Sequence, residues 1–85
     1  MISKTIAIKI PEGLGARPVA VLVQVASQHE SSIHIESDNR KVNAKSIMGM
    51  MTLKFREGES VIVSAEGADE AKAVEAIENY LTNAQ

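Results

Sequence analysis

The chain has 85 residues, a formal charge of −2, a 45% hydrophobic share with one Phe and one Tyr, and no Cys. That length holds one domain whose modest core must be packed from aliphatic side chains, and the lack of thiols excludes disulfides and thiolate metal sites, as in a reducing cytoplasm. The charge gives no electrostatic reason to expect direct nucleic acid contact, and no apolar run is long enough to cross a bilayer; Met1-Ile2-Ser3-Lys4 leads into alternating residues rather than a signal segment.

Thr5-Ile6-Ala7-Ile8-Lys9-Ile10 alternates and predicts a half-buried strand with Ile6, Ile8 and Ile10 on one face. Pro11-Glu12-Gly13-Leu14-Gly15 stops it. From Ala16 to Ala26, Val19, Leu22, Val23 and Ala26 recur at helical spacing, so the segment predicts a helix despite its four valines. Pro18 suits a first turn, whose N–H groups have no intrahelical acceptor, and Gly15 is the expected N-cap, without a side-chain acceptor. Ile33 and Ile35 alternate with His34 and Glu36 in a second strand. Ser37-Asp38-Asn39-Arg40 has turn chemistry, and Lys41-Val42-Asn43 returns as a short third strand.

Ser46 then precedes an apolar run, Ile47 to Leu53, where a helix N-cap belongs. Its three methionines and isoleucine are too many for so short a helix to bury on one face. Flexible apolar side chains beside a modifiable hydroxyl suit a switchable protein contact. From these residues alone, a plain N-cap serine opening a core helix is the simpler reading. Arg56-Glu57-Gly58-Glu59 is a further turn, and Val61, Val63 and Ala65 mark a fourth strand. Gly67-Ala68-Asp69-Glu70 opens a last helix, with acidic residues favourable at its start and with Ala73, Val74, Ile77, Tyr80 and Leu81 facing the core. The order strand, helix, strand, strand, short helix, strand, helix implies an α+β domain over residues 1–85, an antiparallel sheet covered on one face by helices.

The residues offer little chemistry. His29 falls near the end of the first helix and His34 on the outer face of a strand, and both read as solvated surface groups. Neither has a spaced Cys, Asp or second His to complete a metal or nucleophile constellation. The carboxylates are scattered, with no pair placed to divide acid and base work. Gly13-Leu14-Gly15 is too short for a phosphate loop. No catalytic centre, metal site or cofactor is expected.

Gly13-Leu14-Gly15-Ala16-Arg17-Pro18, Lys45-Ser46-Ile47-Met48-Gly49 and Ser64-Ala65-Glu66-Gly67, in this order and spacing, resemble the HPr family along the whole chain. The resemblance implies an open-faced β-sandwich of four antiparallel strands with three helices on one face, in agreement with the element order. HPr proteins carry phosphate in the phosphoenolpyruvate-dependent sugar phosphotransferase system on the histidine of a Gly-(Ile/Leu)-His-Ala-Arg-Pro motif. Gly15 stands at that histidine, and glycine has no nucleophile to form a phosphoramidate, so carrier activity is expected to be lost. Arg17, which in the family helps hold the phosphate, is kept. A phosphocarrier of sugar uptake is the alternative that a family likeness alone implies.

The serine motif is complete. In HPr proteins of Gram-positive bacteria the matching serine is phosphorylated by HPr kinase/phosphorylase, and the product is a corepressor binding a LacI-type catabolite control repressor. Val42-Asn43-Ala44-Lys45-Ser46-Ile47-Met48-Gly49 is most similar to the catabolite repression HPr-like (Crh) subgroup, which lacks the active histidine and keeps the serine. Gly15 departs from the glutamine more usual there. The resemblance thus implies a cytoplasmic regulator rather than an enzyme, with Ser46 as the phosphorylation site and Gly15, Arg17, Ala20, Lys45, Ile47, Met48 and Met51 as the partner surface. In that surface Arg17 is a guanidinium partner for the phosphate or for an acidic group of the repressor. Ile47, Met48 and Met51 are its apolar anchors, and Gly15 and Ala20 the flat ground beside them. An unmodified inhibitor of another metabolic enzyme is a third reading. Gly15 also loosens the junction after the first strand, so that a monomer could exchange this strand into a swapped dimer.

Overall fold

The structure is a computed structural model that describes residues 1–10, 16–37, 39–53 and 58–83. Its elements are β1 (Ile2–Ala7), α1 (Ala16–Ser27), β2 (Ser32–Ser37), β3 (Arg40–Asn43), α2 (Ile47–Met51), β4 (Ser60–Glu66) and α3 (Glu70–Asn83). The strands form one antiparallel sheet in the order β1-β4-β2-β3. The expected α+β architecture, a four-stranded antiparallel sheet with three helices, is what the chain adopts.

Each element follows from where its apolar side chains fall. Val61, Val63 and Ala65 of β4 and Ile33 and Ile35 of β2 are buried, as the two-residue period of a strand with one covered face requires. Val19, Leu22, Val23 and Ala26 of α1 and Ala73, Val74, Ile77 and Leu81 of α3 bury the matching helical stripes in the same core. Tyr80 packs against it half-buried. On the opposite sheet face Thr5, Ile62, Ser32 and Glu66 are exposed, while Ser64 is buried.

The first strand is displaced from its expected place, running over Ile2–Ala7 rather than Thr5–Ile10. Pairing with β4 sets its bounds, from Ile2 opposite Ala65 to Ala7 opposite Ser60. Beyond Ala7 the backbone finds other partners. The Ile8 N–H donates to the Glu59 carbonyl at 2.8 Å, Gly58 N–H to the Ile8 carbonyl at 2.8 Å, and Lys9 N–H to the Leu81 carbonyl at 2.8 Å. Ile6, Ile8 and Ile10 are still buried, so the alternation located the core face although the ladder ends early. Lys4, at the sheet edge, reaches Glu78 of α3 at 2.8 Å. The expected N-cap, Gly15, lies outside the described residues.

The turn before α3 is held from a distance. One Asp69 carboxylate oxygen accepts from the Glu30 N–H at 3.0 Å, and the other from the Ser31 N–H at 3.0 Å and from the Ser31 hydroxyl. These bonds, the Ser31 hydroxyl first, hold the Asp69 carboxyl down at about 2. Glu70 reaches back to the Gly67 N–H at 3.1 Å, which lowers its carboxyl too. Gly67 has φ +153°, and a Cβ there would stand 2.7 Å from the Ser31 Cα. Only glycine fits so close an approach.

Both histidines are half-buried, against the expectation of solvated groups. His29 lies just past the end of α1 with Nδ1 3.1 Å from the Val25 carbonyl, to which it donates when Nδ1 carries the proton. His34 sits in β2 between Ser64 of β4 and Asn43 of β3, so neighbouring strands cover its flanks.

Candidate functional site around Ser46

The short β3–α2 connection is built by local bonds. The Asn43 side-chain oxygen accepts from the Lys45 N–H at 2.8 Å, and the Asn43 carbonyl from the Ser46 N–H at 3.0 Å. These bonds turn the chain sharply and leave Ser46 extended, at φ −106° and ψ 114°, as an N-cap requires. Its Oγ accepts from the Gly49 N–H at 3.1 Å, and its carbonyl accepts from the Met50 N–H at 2.9 Å. The N-cap role read from the sequence is the one observed. At the far end the Thr52 hydroxyl and N–H both donate to the Gly49 carbonyl, at 2.7 and 3.1 Å. Arg40 of β3 donates to the Thr52 carbonyl at 3.3 Å. The helix is α-helical over Ile47–Met51, shorter than the expected Ile47–Leu53, because this cap closes it at Thr52; Leu53 beyond it is nonetheless buried.

Five residues cannot hold a helix by propensity alone. Met50 supplies the anchor, with 0% of its surface exposed, while Met48 is 84% exposed, Ile47 55% and Met51 47%. All three candidate anchors therefore stand in solvent beside the half-buried Ser46, on a helix fastened by buried Met50.

Lys45 is placed differently from a free surface cation. Its Nζ donates to the His29 carbonyl at 2.6 Å and ties the loop before Ser46 to the chain leaving α1. Arg17 and Ala20 are exposed on α1, which packs against α2. Among the described residues Arg17 and Ser46 do not hydrogen-bond to one another. Gly15 again lies outside the described residues. The structure thus groups Lys45, Ser46, Ile47, Met48 and Met51 in one segment, with Arg17 and Ala20 on the adjoining helix. Sequence reasoning missed the Lys45–His29 bond and the hold of Asp69 on Glu30 and Ser31. No local pattern marks the first, and an acid before α3 signalled only a helix start for the second.

Among the described residues no group of His, Asp and Glu is arranged to hold a metal ion, and no helix is long and apolar enough to cross a membrane.

The chain matches known proteins along nearly its whole length. The family model "PTS HPr component phosphorylation site" matches residues 2–83. An HPr-like protein Crh from Halalkalibacterium halodurans is 47% identical over 77 residues, covering 91% of this chain and 92% of that protein. The crystal structure of HPr-C-His from Thermoanaerobacter tengcongensis superposes with a TM-score of 0.92 at 46% identity, over 100% of this chain and 99% of the other. Crh from Bacillus subtilis, reported as an intertwined dimer with a swapped domain, superposes with a TM-score of 0.78 at 40% identity, over 98% and 95% of the two chains.

Proposed function

We infer, from the premise that this chain belongs to the HPr family, that it acts as a Crh-like regulator switched by phosphate on Ser46. In this reading HPr kinase/phosphorylase modifies the Ser46 hydroxyl in the cytoplasm. The phosphoprotein then binds a LacI-type catabolite control repressor as corepressor. The observation that carries it is the pairing of a capping hydroxyl with outward Ile47, Met48 and Met51.

The physics of the modification fits. A phosphoserine adds about −1.5 to −2 charges and strong acceptor oxygens. At Ser46 the Gly49 N–H already donates to the bridging oxygen, and the first-turn N–H groups of α2 favour negative charge. Buried Met50 and the Thr52 cap hold α2 while the charge is added. Arg17 is exposed on the neighbouring helix, where its guanidinium can pair with the phosphate or with an acidic group of the repressor. Gly15 at the carrier-histidine position supports a protein that displays phosphate without passing it on.

Two phosphorylation assays test this. ATP with HPr kinase should add one phosphate, absent from Ser46→Ala, and only the phosphorylated form should bind the repressor. Phosphoenolpyruvate with enzyme I should leave the protein unlabelled; acid-labile label there would make it a phosphocarrier. Exchange of β1 between two protomers is a further part of this reading. It is supported by the edge position of β1, paired with β4 alone, and by the swapped Bacillus subtilis relative. A monomer at every concentration in size-exclusion chromatography would remove it.

A further inference from the structure

We propose that Met48 and Met51 form a reversible oxidation site for hydroperoxides that disables the apolar face beside Ser46, whatever the phosphorylation state; the docking consequence rests on the corepressor reading above. Three methionines lie within one helical turn and differ sharply in access. Met48 is 84% exposed and Met51 47%, while Met50 between them is 0% exposed. A peroxide in solvent reaches the first two sulfurs and not the third.

The chemistry balances without a catalyst. A thioether lone pair attacks one peroxide oxygen, the O–O bond breaks as the S–O bond forms, and the leaving hydroxide takes a proton. Sulfur is oxidised by two electrons, and hydrogen peroxide is reduced to water. A dithiol reductase reverses the step, returning the thioether and water while the dithiol closes to a disulfide.

The structural effect is confined to the surface. Met48 and Met51 are exposed residues, and the cap bonds of α2 involve Gly49, Ser46 and Thr52, not the Met48 or Met51 side chains. The fold and the Ser46 hydroxyl are therefore unaffected. A flexible apolar anchor becomes a polar one that a partner would have to desolvate.

Hydrogen peroxide added to the folded protein, with peptide mass spectrometry over time, is expected to add oxygen to Met48 and Met51 before Met50. Thermal unfolding of the modified protein should match the untreated one. Titration calorimetry of the Ser46-phosphorylated protein against the LacI-type repressor should show a Kd raised about tenfold after oxidation. Methionine sulfoxide reductase with a dithiol should restore it, and peroxide should no longer change the affinity of a Met48→Leu/Met51→Leu variant. Met50 oxidised as fast as Met48, or oxidised phosphoprotein binding within about twofold of the untreated, overturns the proposal. Unoxidised phosphoprotein that fails to bind refutes the corepressor reading itself and the docking consequence with it; the order of oxidation is judged separately.

Discussion

Met50→Ala is the substitution most revealing of how the Ser46 segment is held. Met50 has no exposed surface and sits on a five-residue helix whose other large side chains point outward. Truncation removes Sδ and the two carbons bonded to it. At about 0.8 kcal/mol per buried methylene-sized group, the transfer loss is roughly 2.4 kcal/mol. The residual cavity raises the cost to about 3–4 kcal/mol, within the range for Met→Ala in cores. With a urea m-value of about 1 kcal/mol/M for so small a domain, the midpoint should fall by roughly 3 M. Met50→Leu, which nearly conserves volume, should cost less than about 1.5 kcal/mol. Urea titration followed by circular dichroism measures both, and amide exchange at Gly49 and Met50 reports whether α2 loosens first. A loss for Met50→Ala below about 1 kcal/mol would refute the claim that this side chain anchors α2.

Ser46→Ala should remove phosphorylation and cost about 1 kcal/mol in urea titration through loss of the Gly49 N–H acceptor; an unchanged stability would count against the cap. Asp69→Asn is expected to destabilise the protein at neutral pH. Because the folded carboxyl is lowered to about 2 from an ordinary 3.8, its contribution is complete above pH 4 and fades as pH falls through 2. The gap between wild type and Asp69→Asn in thermal melts should therefore narrow between pH 4 and 2, and a gap of constant size would contradict the Ser31 and Glu30 bonds as its source. Gly67→Ala should cost about 1–3 kcal/mol, since its Cβ meets the Ser31 backbone. Lys45→Met should weaken the protein by about 1–2 kcal/mol through loss of the bond to the His29 carbonyl. Amide shifts around His29 should accompany that loss in an NMR spectrum, and shifts confined to residue 45 would argue against the tie.

Much of the fold was legible because burial follows period. The alternation of Ile33 with Ile35 and of Val61 with Val63, and the helical spacing of Val19, Leu22, Val23 and Ala26, named side chains that are buried. The start of β1 was not legible. Ser3 and Lys4 carry no apolar alternation, and only the register with β4, far along the chain, recruits them. The Ser46 cap could be read from a serine before an apolar run, a local signal. The roles of Lys45 and Asp69 could not, because their acceptor at His29 and donors at Glu30 and Ser31 come from other parts of the chain. The half-burial of His34, flanked by Ser64 of β4, was hidden for the same reason.

The strand order also sets a timetable for folding. Among the described strands β2 and β3 pair as neighbours in the chain, Ser37 opposite Arg40; β1 must wait for β4, so that Ile2 meets Ala65 across most of the chain. Closing so large a loop carries its entropy cost before any reward, which places such a domain among slower folders, in milliseconds rather than microseconds. During synthesis the sheet cannot be completed until the residues of β4 have left the ribosome. The nascent first strand and the residues that follow it, with apolar Ile6, Ile8 and Ile10 uncovered until then, are the part of the newborn chain most in need of shelter.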